Sequence, residues 1–324
     1  MTFAIIRYLL MILIALITPG IINKTKAKCG GRKGASILQP AYDIIKLLRK
    51  SEVISSSTSL IFKLAPSITL ASVLTAGMVA PIGGMKPILS FSGDFVFFAY
   101  ILGIGRFFTI IGALDTASAF EGMGASREAA YSMFLEPAFF FIFGSLAMFT
   151  GVSSFSEINS VLSINNIAHT SCVPGFMDII NCWIHPSNNM VLFVCSMIVI
   201  LITILVEASR MPFDDPETHL ELTMIHEVMV LDNSGPDLAM IKYAAALKIT
   251  VLASLITGLL IHNWISPALG LILYIIFITL TAIVIGVIES VTARIRLTHT
   301  PQYLIAASAF GITVFMIMIA GKII

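Results

Sequence analysis

Charged side chains are scarce in this sequence. Only 11% of its 324 residues are Asp, Glu, Lys or Arg, against roughly 25% in an average soluble domain. The formal net charge is +1, so bulk charge gives no reason to expect a nucleic-acid partner. Cysteine is also rare. Cys29, Cys172, Cys182 and Cys195 are the whole set, and their spacing fits no zinc or iron–sulfur pattern. Cys172 and Cys182 fall in one long loop on the side read below as outer, where a disulfide and two free thiols both remain open. The sequence has no HExxH and no nucleophile elbow, which leaves zinc-protease and serine-hydrolase chemistry without its residues. The histidines of the acidic segment described below are seven apart, which matches no known zinc spacing. No repeat of fixed period is present, and the apolar runs lack the alternation of barrel strands.

Hydrophobic residues make up 57% of the chain, and the mean hydropathy is +0.98. A helix needs about 20 apolar residues to cross a bilayer. Eight stretches qualify, at about 3–22, 59–81, 93–114, 128–152, 188–206, 243–262, 267–288 and 302–323. The first is too long for a signal peptide and lacks a small-residue cleavage site, so it reads as a retained helix. The expected fold is an all-α multi-pass membrane protein, one membrane domain over 1–324. The loop after the first stretch carries Lys24, Lys26, Lys28, Arg32, Lys33, Lys46, Arg49 and Lys50. Alternate loops add Arg127, Arg210, Lys242, Arg294 and Arg296, while the opposite side receives only Arg7, Lys86 and Lys322. The basic loops therefore face the cytoplasm and both termini face outward.

Two inner segments stand out, the basic first loop over 23–58 and an acidic segment over 207–242. In the first, GGRKG reads as a turn and AYDIIKLLRK as a short amphipathic helix lying at the interface, with Tyr42, Ile45 and Leu48 on one face.

A charge at the centre of a membrane helix costs about 2.5–3.5 kcal/mol on insertion scales, so each one needs a reason. Arg106, Glu136 and Lys248 lie inside apolar stretches, and Glu128, Glu207 and Glu289 lie near their ends. Glu128 and Glu136 are eight residues apart and share a helix face. Pro137 follows and frees a backbone carbonyl one turn earlier. One salt bridge between Arg106 and Glu136 would explain packing alone. Several acids rather than one favour a proton path.

The acid is densest in EASRMPFDDPETHLELTMIHEVMVLD, residues 207–232. It holds seven of the chain's carboxylates, of which there are 18, and His219 and His226. Arg210 lies three residues after Glu207, within pairing reach if the helix continues. Pro212 and Pro216 break the helix. Asp214, Asp215, Glu217, Glu221 and Glu227 follow. On a helix Glu217 and Glu221 would stack and repel, which tunes carboxylates toward proton relay. The apolar residues interleaved in LELTMIHEVMVL call for a buried face. The candidate proton path is Glu128, Glu136, Glu207, Asp214, Glu217, Glu221 and Glu227, with Arg106 and Arg210 as charge partners.

EASRMPFDDPETHLEL resembles the fifth-span loop of the NADH dehydrogenase subunit 1 family, the membrane subunit of respiratory complex I that joins its hydrophilic and membrane arms. Glu207, Arg210, Pro212, Phe213, Asp214, Glu217 and Glu221 match that loop. RKGASILQPAYDIIKLL is similar to the family's first-loop signature at Arg32, Gly34, Leu38, Gln39, Pro40, Asp43 and Lys46, with Ala35 where proline is usual. ALDTASAFEGMGASREAAYSMFLEP resembles more closely the membrane subunit of group 4 [NiFe] hydrogenases of the hydrogenase-4 and formate hydrogenlyase type. Glu128, after the Arg of GASRE, is usually absent from complex I versions.

The resemblance implies a membrane anchor with no cofactor of its own. Arg32, Gln39, Asp43 and Lys46 would dock a soluble arm whose large and small subunits carry a [NiFe] centre and iron–sulfur clusters. Antiporter-like membrane subunits would be further partners, and the site would be a prokaryotic inner membrane. The acids would line a path from the arm junction into the membrane. A complex I subunit walling a quinone tunnel is the alternative. A stand-alone transporter fits less well, because inverted repeats and paired broken helices are not evident.

Overall fold

The computed structural model describes residues 2–55, 57–162, 188–214, 224–261, 267–296 and 299–323. Among the described residues every extended element is a helix. In chain order these are α1 (Thr2–Ala15), α2 (Thr18–Cys29), α3 (Gln39–Leu48), α4 (Leu60–Val79), α5 (Asp94–Asp115), α6 (Ala119–Thr150), α7 (Phe155–Leu162), α8 (Asn188–Glu207), α9 (His226–Met229), α10 (Gly235–Leu260), α11 (Pro267–Val291) and α12 (Thr300–Ile323).

Six of these helices are long and apolar enough to cross a membrane, namely α4, α5, α6, α10, α11 and α12. The bent pair of α1 and α2 makes a seventh, and the apolar part of α8, Leu192–Glu207, is shorter. The chain is therefore an all-helical, multi-pass membrane protein. The 3–22 stretch expected as one helix is two, meeting at 41°. Pro19 sits at the start of α2, where its ring opposes the carbonyl of residue 15 and it offers no N–H, so the helix breaks there. α2 then continues to Cys29 and carries Lys24, Lys26 and Lys28 on its last turns.

α6 runs for 32 residues, about 48 Å at 1.5 Å per residue, well beyond a hydrocarbon core of about 30 Å. It starts nine residues before the hydropathy boundary at 128, because polar EGMGASRE is helical without being apolar. Glu128 is thus inside a helix rather than at its edge. α10 is the central helix. In its most apolar window 83% of residues are buried, against 22–39% for the other five long spans. It packs against α1, α3, α4, α8 and α11, while α6 packs against α5, α8 and α12. α3 lies against α10 through buried Ile44 and leaves Tyr42, Ile45 and Leu48 exposed, as an interfacial helix should. The end of the bundle that carries α3 and residues 208–214 and 224–234 is called the basic end below.

Small residues set the close approaches. A Cβ on Gly105 would fall 2.1 Å from Ser72 Oγ, which fixes α5 against α4. One on Gly124 would fall 2.3 Å from Val228 Cγ1, which fixes α9 against α6.

Candidate functional site

Five charged side chains from four helices meet inside the bundle. Arg106, on α5, has 7% of its side chain exposed and pairs with three carboxylates. Its Nη1 donates to Glu136 Oε1 at 3.0 Å, its Nη2 donates to Glu207 Oε1, and its Nε lies 3.9 Å from Glu128 Oε1. Lys248 Nζ, from α10, lies 3.4 Å from Glu207 Oε2. Helical spacing explains the α6 pair, because Glu128 and Glu136 stand about two turns apart on one face. Buried charges persist only when paired, and here three carboxylates face two cations. One carboxylate is in excess, so a single added proton makes the group neutral. Glu136 is the open member, with 49% of its side chain exposed on the flank of the bundle.

A second network ties the basic end together. Glu289, fully buried on α11, pairs with Arg210 at 3.4 Å and with Lys26 of α2 at 3.9 Å. Asp214 accepts from Arg294 at 3.2 Å and from the backbone N–H of His226 at 3.0 Å. Arg127 of α6 donates to the Met224 carbonyl at 2.9 Å. These bonds pin the described ends of the acidic segment to α6 and α11.

Three cavities with shared lining residues lie between the two networks. At the basic end a space of about 280 Å³ is lined by Asn23, Gln39, Asp43, Arg210, Asp214 and Glu227, among others. It shares Ala208, Ser209 and His226 with a space of about 20 Å³ beside Arg106, Glu128 and Lys248. That one shares Arg106 and Glu207 with a space of about 30 Å³ that reaches Glu136. A water needs about 10–15 Å³ by this kind of measure, so each inner space accommodates one or two. Carboxylates and water-sized spaces thus alternate between the basic end and Glu136 on the flank, the kind of groups that proton transfer requires.

The sequence-derived residues divide as follows. Glu128, Glu136, Glu207 and Arg106 form the inner cluster, and Asp214 and Glu227 line the basic-end cavity. Glu217 and Glu221 lie outside the described residues, as do Cys172 and Cys182. The residues assigned to arm docking, Arg32, Gln39, Asp43 and Lys46, are all exposed, and Gln39 donates to Asp43 at 2.9 Å at the rim of the cavity. The expected Glu207–Arg210 pair does not form. α8 ends at Glu207 and Ser209 takes a positive φ of 50°, which turns Arg210 off that helix face and toward Glu289. Glu207 pairs with Arg106 and Lys248 instead. The sequence reading missed Glu121, which is 0% exposed and accepts from the Asp232 N–H at 3.1 Å. Its signal was its place seven residues before Glu128, on the same face of α6. It also missed Asp94, which ties α5 to α7 by accepting from Ser154 Oγ and the Phe155 N–H, both at 2.8 Å. No group of three or more His, Cys, Asp or Glu side chains able to hold a metal occurs among the described residues.

The sequence profile described as NADH dehydrogenase matches residues 1–321. Formate hydrogenlyase subunit 4 of Escherichia coli strain K12 is 26% identical over 326 residues, covering 98% of this chain and 99% of that protein. Hydrogenase-4 component C of the same organism is 28% identical, covering 79% of this chain and 74% of its own length. An NADH-quinone oxidoreductase subunit of Bordetella pertussis is 26% identical, covering 73% of this chain and 62% of its own length. Among solved structures, a chain of the membrane-bound sulfane sulfur reductase, an archaeal respiratory membrane complex, superposes with a TM-score of 0.76 at 16% identity, covering 97% of this chain and 99% of that one.

Proposed function

The chain belongs to the NADH dehydrogenase family, and from that membership we propose that it is the membrane-anchor and proton-coupling subunit of a hydrogenase-4 or formate hydrogenlyase-type redox complex. The end-to-end match to formate hydrogenlyase subunit 4, against 62% coverage of the NADH-quinone oxidoreductase relative, supports this reading over a complex I one. In it the basic end faces the cytoplasm of a prokaryotic cell and receives the soluble arm. The arm's large and small subunits carry the [NiFe] centre and the iron–sulfur clusters, and this chain supplies no redox group. Exposed Arg32 and Lys46 are the docking charges of the first loop.

The observation that carries the coupling role is the buried cluster of Arg106, Glu128, Glu136, Glu207 and Lys248, reached through the basic-end cavity. With one carboxylate in excess, the cluster takes up and releases one proton between a neutral and a singly charged state. A charge change at the arm junction acts on it through Asp214, Arg210 and Glu227, and the proton leaves by way of Glu136 toward antiporter-like membrane subunits on the flank. Glu217 and Glu221 extend the path on the arm side. The second reading, a quinone-reducing complex I subunit, draws on the basic-end cavity. Its volume of about 280 Å³ approaches the 300–1,000 Å³ range of small-molecule pockets, and its walls are α2, α3 and the acidic segment.

The two readings part on metal content. The complex, purified in mild detergent through a tag on this chain, is expected to contain nickel together with a larger amount of iron and to turn over hydrogen. Iron without nickel, with quinone reductase activity, would establish the second reading instead.

A further inference from the structure

We propose that the Arg106 cluster has a second water and proton inlet from the basic end, running between α4, α5 and α10 past Asn233, Thr109 and Thr69. The proposal rests on the proton-coupling reading above and adds a route to it. The first route passes Ser209 and His226 on the side of α10 that faces α2 and α3. The second lies on the other side of the start of α10.

A cavity of about 10 Å³ is enclosed there by Phe62, Pro66, Thr109, Met229, Asn233 and Ile241, among others. It is near the smallest space that holds one water. It shares Thr69 and Thr109 with the space of about 20 Å³ beside Arg106 and Glu128. Polar atoms mark both ends. At the basic end Asn233 Oδ1 is buried and accepts no hydrogen bond from the described residues. At the cluster end Arg106 Nε–H is buried and has no hydrogen-bond acceptor among the described residues, Glu128 Oε1 being 3.9 Å away. Between them Thr69 Oγ1 and Thr109 Oγ1 lie 2.9 Å apart; Thr69 Oγ1 can instead donate to the Ala65 carbonyl at 2.8 Å and Thr109 Oγ1 to the Gly105 carbonyl at 3.0 Å, so each hydroxyl has a donor position to exchange and lone pairs to accept. Pro66, inside α4, also lines the cavity and has no N–H to give the Phe62 carbonyl.

An acceptor at the mouth, a hydroxyl pair in the middle and a donor at the cluster are the partners that a short file of water requires. Apolar packing alone gives no reason for Asn233 Oδ1 and Arg106 Nε to lack hydrogen bonds among the described residues, since buried polar groups are almost always bonded to protein or water. The proton step balances simply. A proton from the basic-end water enters the file, each hydroxyl or water takes one proton and passes one on, and Glu128 or Glu207 is protonated while its ion pair with Arg106 weakens. A second route also keeps the cluster supplied when a docked arm or a ligand fills the larger cavity.

The test uses the intact complex in proteoliposomes and measures protons moved alongside electrons transferred. Thr109→Val with Asn233→Leu removes one hydroxyl of the pair and the acceptor at the mouth at nearly constant volume. The expected result is that proton movement falls to half or less while the complex assembles at normal yield, and that Thr109→Ser, which keeps the hydroxyl, moves protons as the wild type does. Should the pair lower the yield, Thr109→Val against Thr109→Ser gives the same comparison. Undiminished proton movement in Thr109→Val and in the pair would overturn the second inlet and leave the coupling role standing. A wild-type complex that transfers electrons and moves no protons would overturn both.

Discussion

At the scale of single residues, the cluster depends on Arg106, which neutralises more of its surroundings than any other side chain. Removing one partner of a buried ion pair costs about 3–5 kcal/mol, because the other charge is left uncompensated. Arg106→Met leaves Glu128, Glu136 and Glu207 with Lys248 alone, and among the described residues Lys248 forms its ion pair with Glu207. Its thermal midpoint in detergent is expected to fall by more than that of Lys248→Met. Equal midpoints for the two variants would contradict the assigned hierarchy. Much of this cluster is legible in the sequence. A charge inside an apolar run announces itself, and a spacing of eight puts Glu128 and Glu136 on one face. The identity of the partners is not legible. Glu207 and Arg210 satisfy a helical pairing rule, yet the turn at Ser209 separates them, and a positive φ at a serine leaves no mark in the sequence.

At the scale of elements, the site is held by contacts too close for a side chain. Gly124 is the example. A Cβ there would fall 2.8 Å from the Ile225 carbonyl and 2.3 Å from Val228 Cγ1. Gly124→Val is therefore expected to push α9 away from α6, at a cost of about 1–3 kcal/mol for an overpacked contact. Backbone amides of 224–230 should then exchange faster with deuterated water, whereas protection equal to wild type would mean that this approach is not what holds α9. Of the eight stretches that hydropathy marked, six are long spanning helices and one is the bent pair of α1 and α2. Hydropathy missed the first turns of α6 because EGMGASRE is polar and only part of it is buried, with Glu121, Gly124 and Ala125 enclosed. The break before α2 was legible in principle from Pro19. The apolar residues of LELTMIHEVMVL did signal a buried segment, and Met224, Ile225, Val228 and Met229 are buried.

At the scale of the molecule, function follows from which helix is central. α10 separates the basic-end cavity from the second inlet and carries Lys248 to the cluster. A single sequence does not state lateral order, since every span is apolar. The composition of α10 does hint at it. KYAAALKITVLASLITG is rich in Ala, Ser, Thr and Gly, the residues that let helices approach closely, whereas α11 is dominated by Ile and Leu and faces outward. In the proposed function, the inner cluster and the basic-end network would mark a path from the arm junction to the flank, with the acids near the fifth span as its intake.

The most direct measurement is proton movement by the purified complex in proteoliposomes, comparing wild type with Glu207→Gln while electron transfer is followed in the same sample. Glu207 contacts both cations of the cluster, and glutamine keeps its size and its hydrogen-bonding oxygen. The account predicts an assembled complex in which electron transfer persists and proton movement falls about tenfold or more, equivalent to at least roughly 1.4 kcal/mol on the transfer barrier. Proton movement per electron equal to wild type in Glu207→Gln would contradict it.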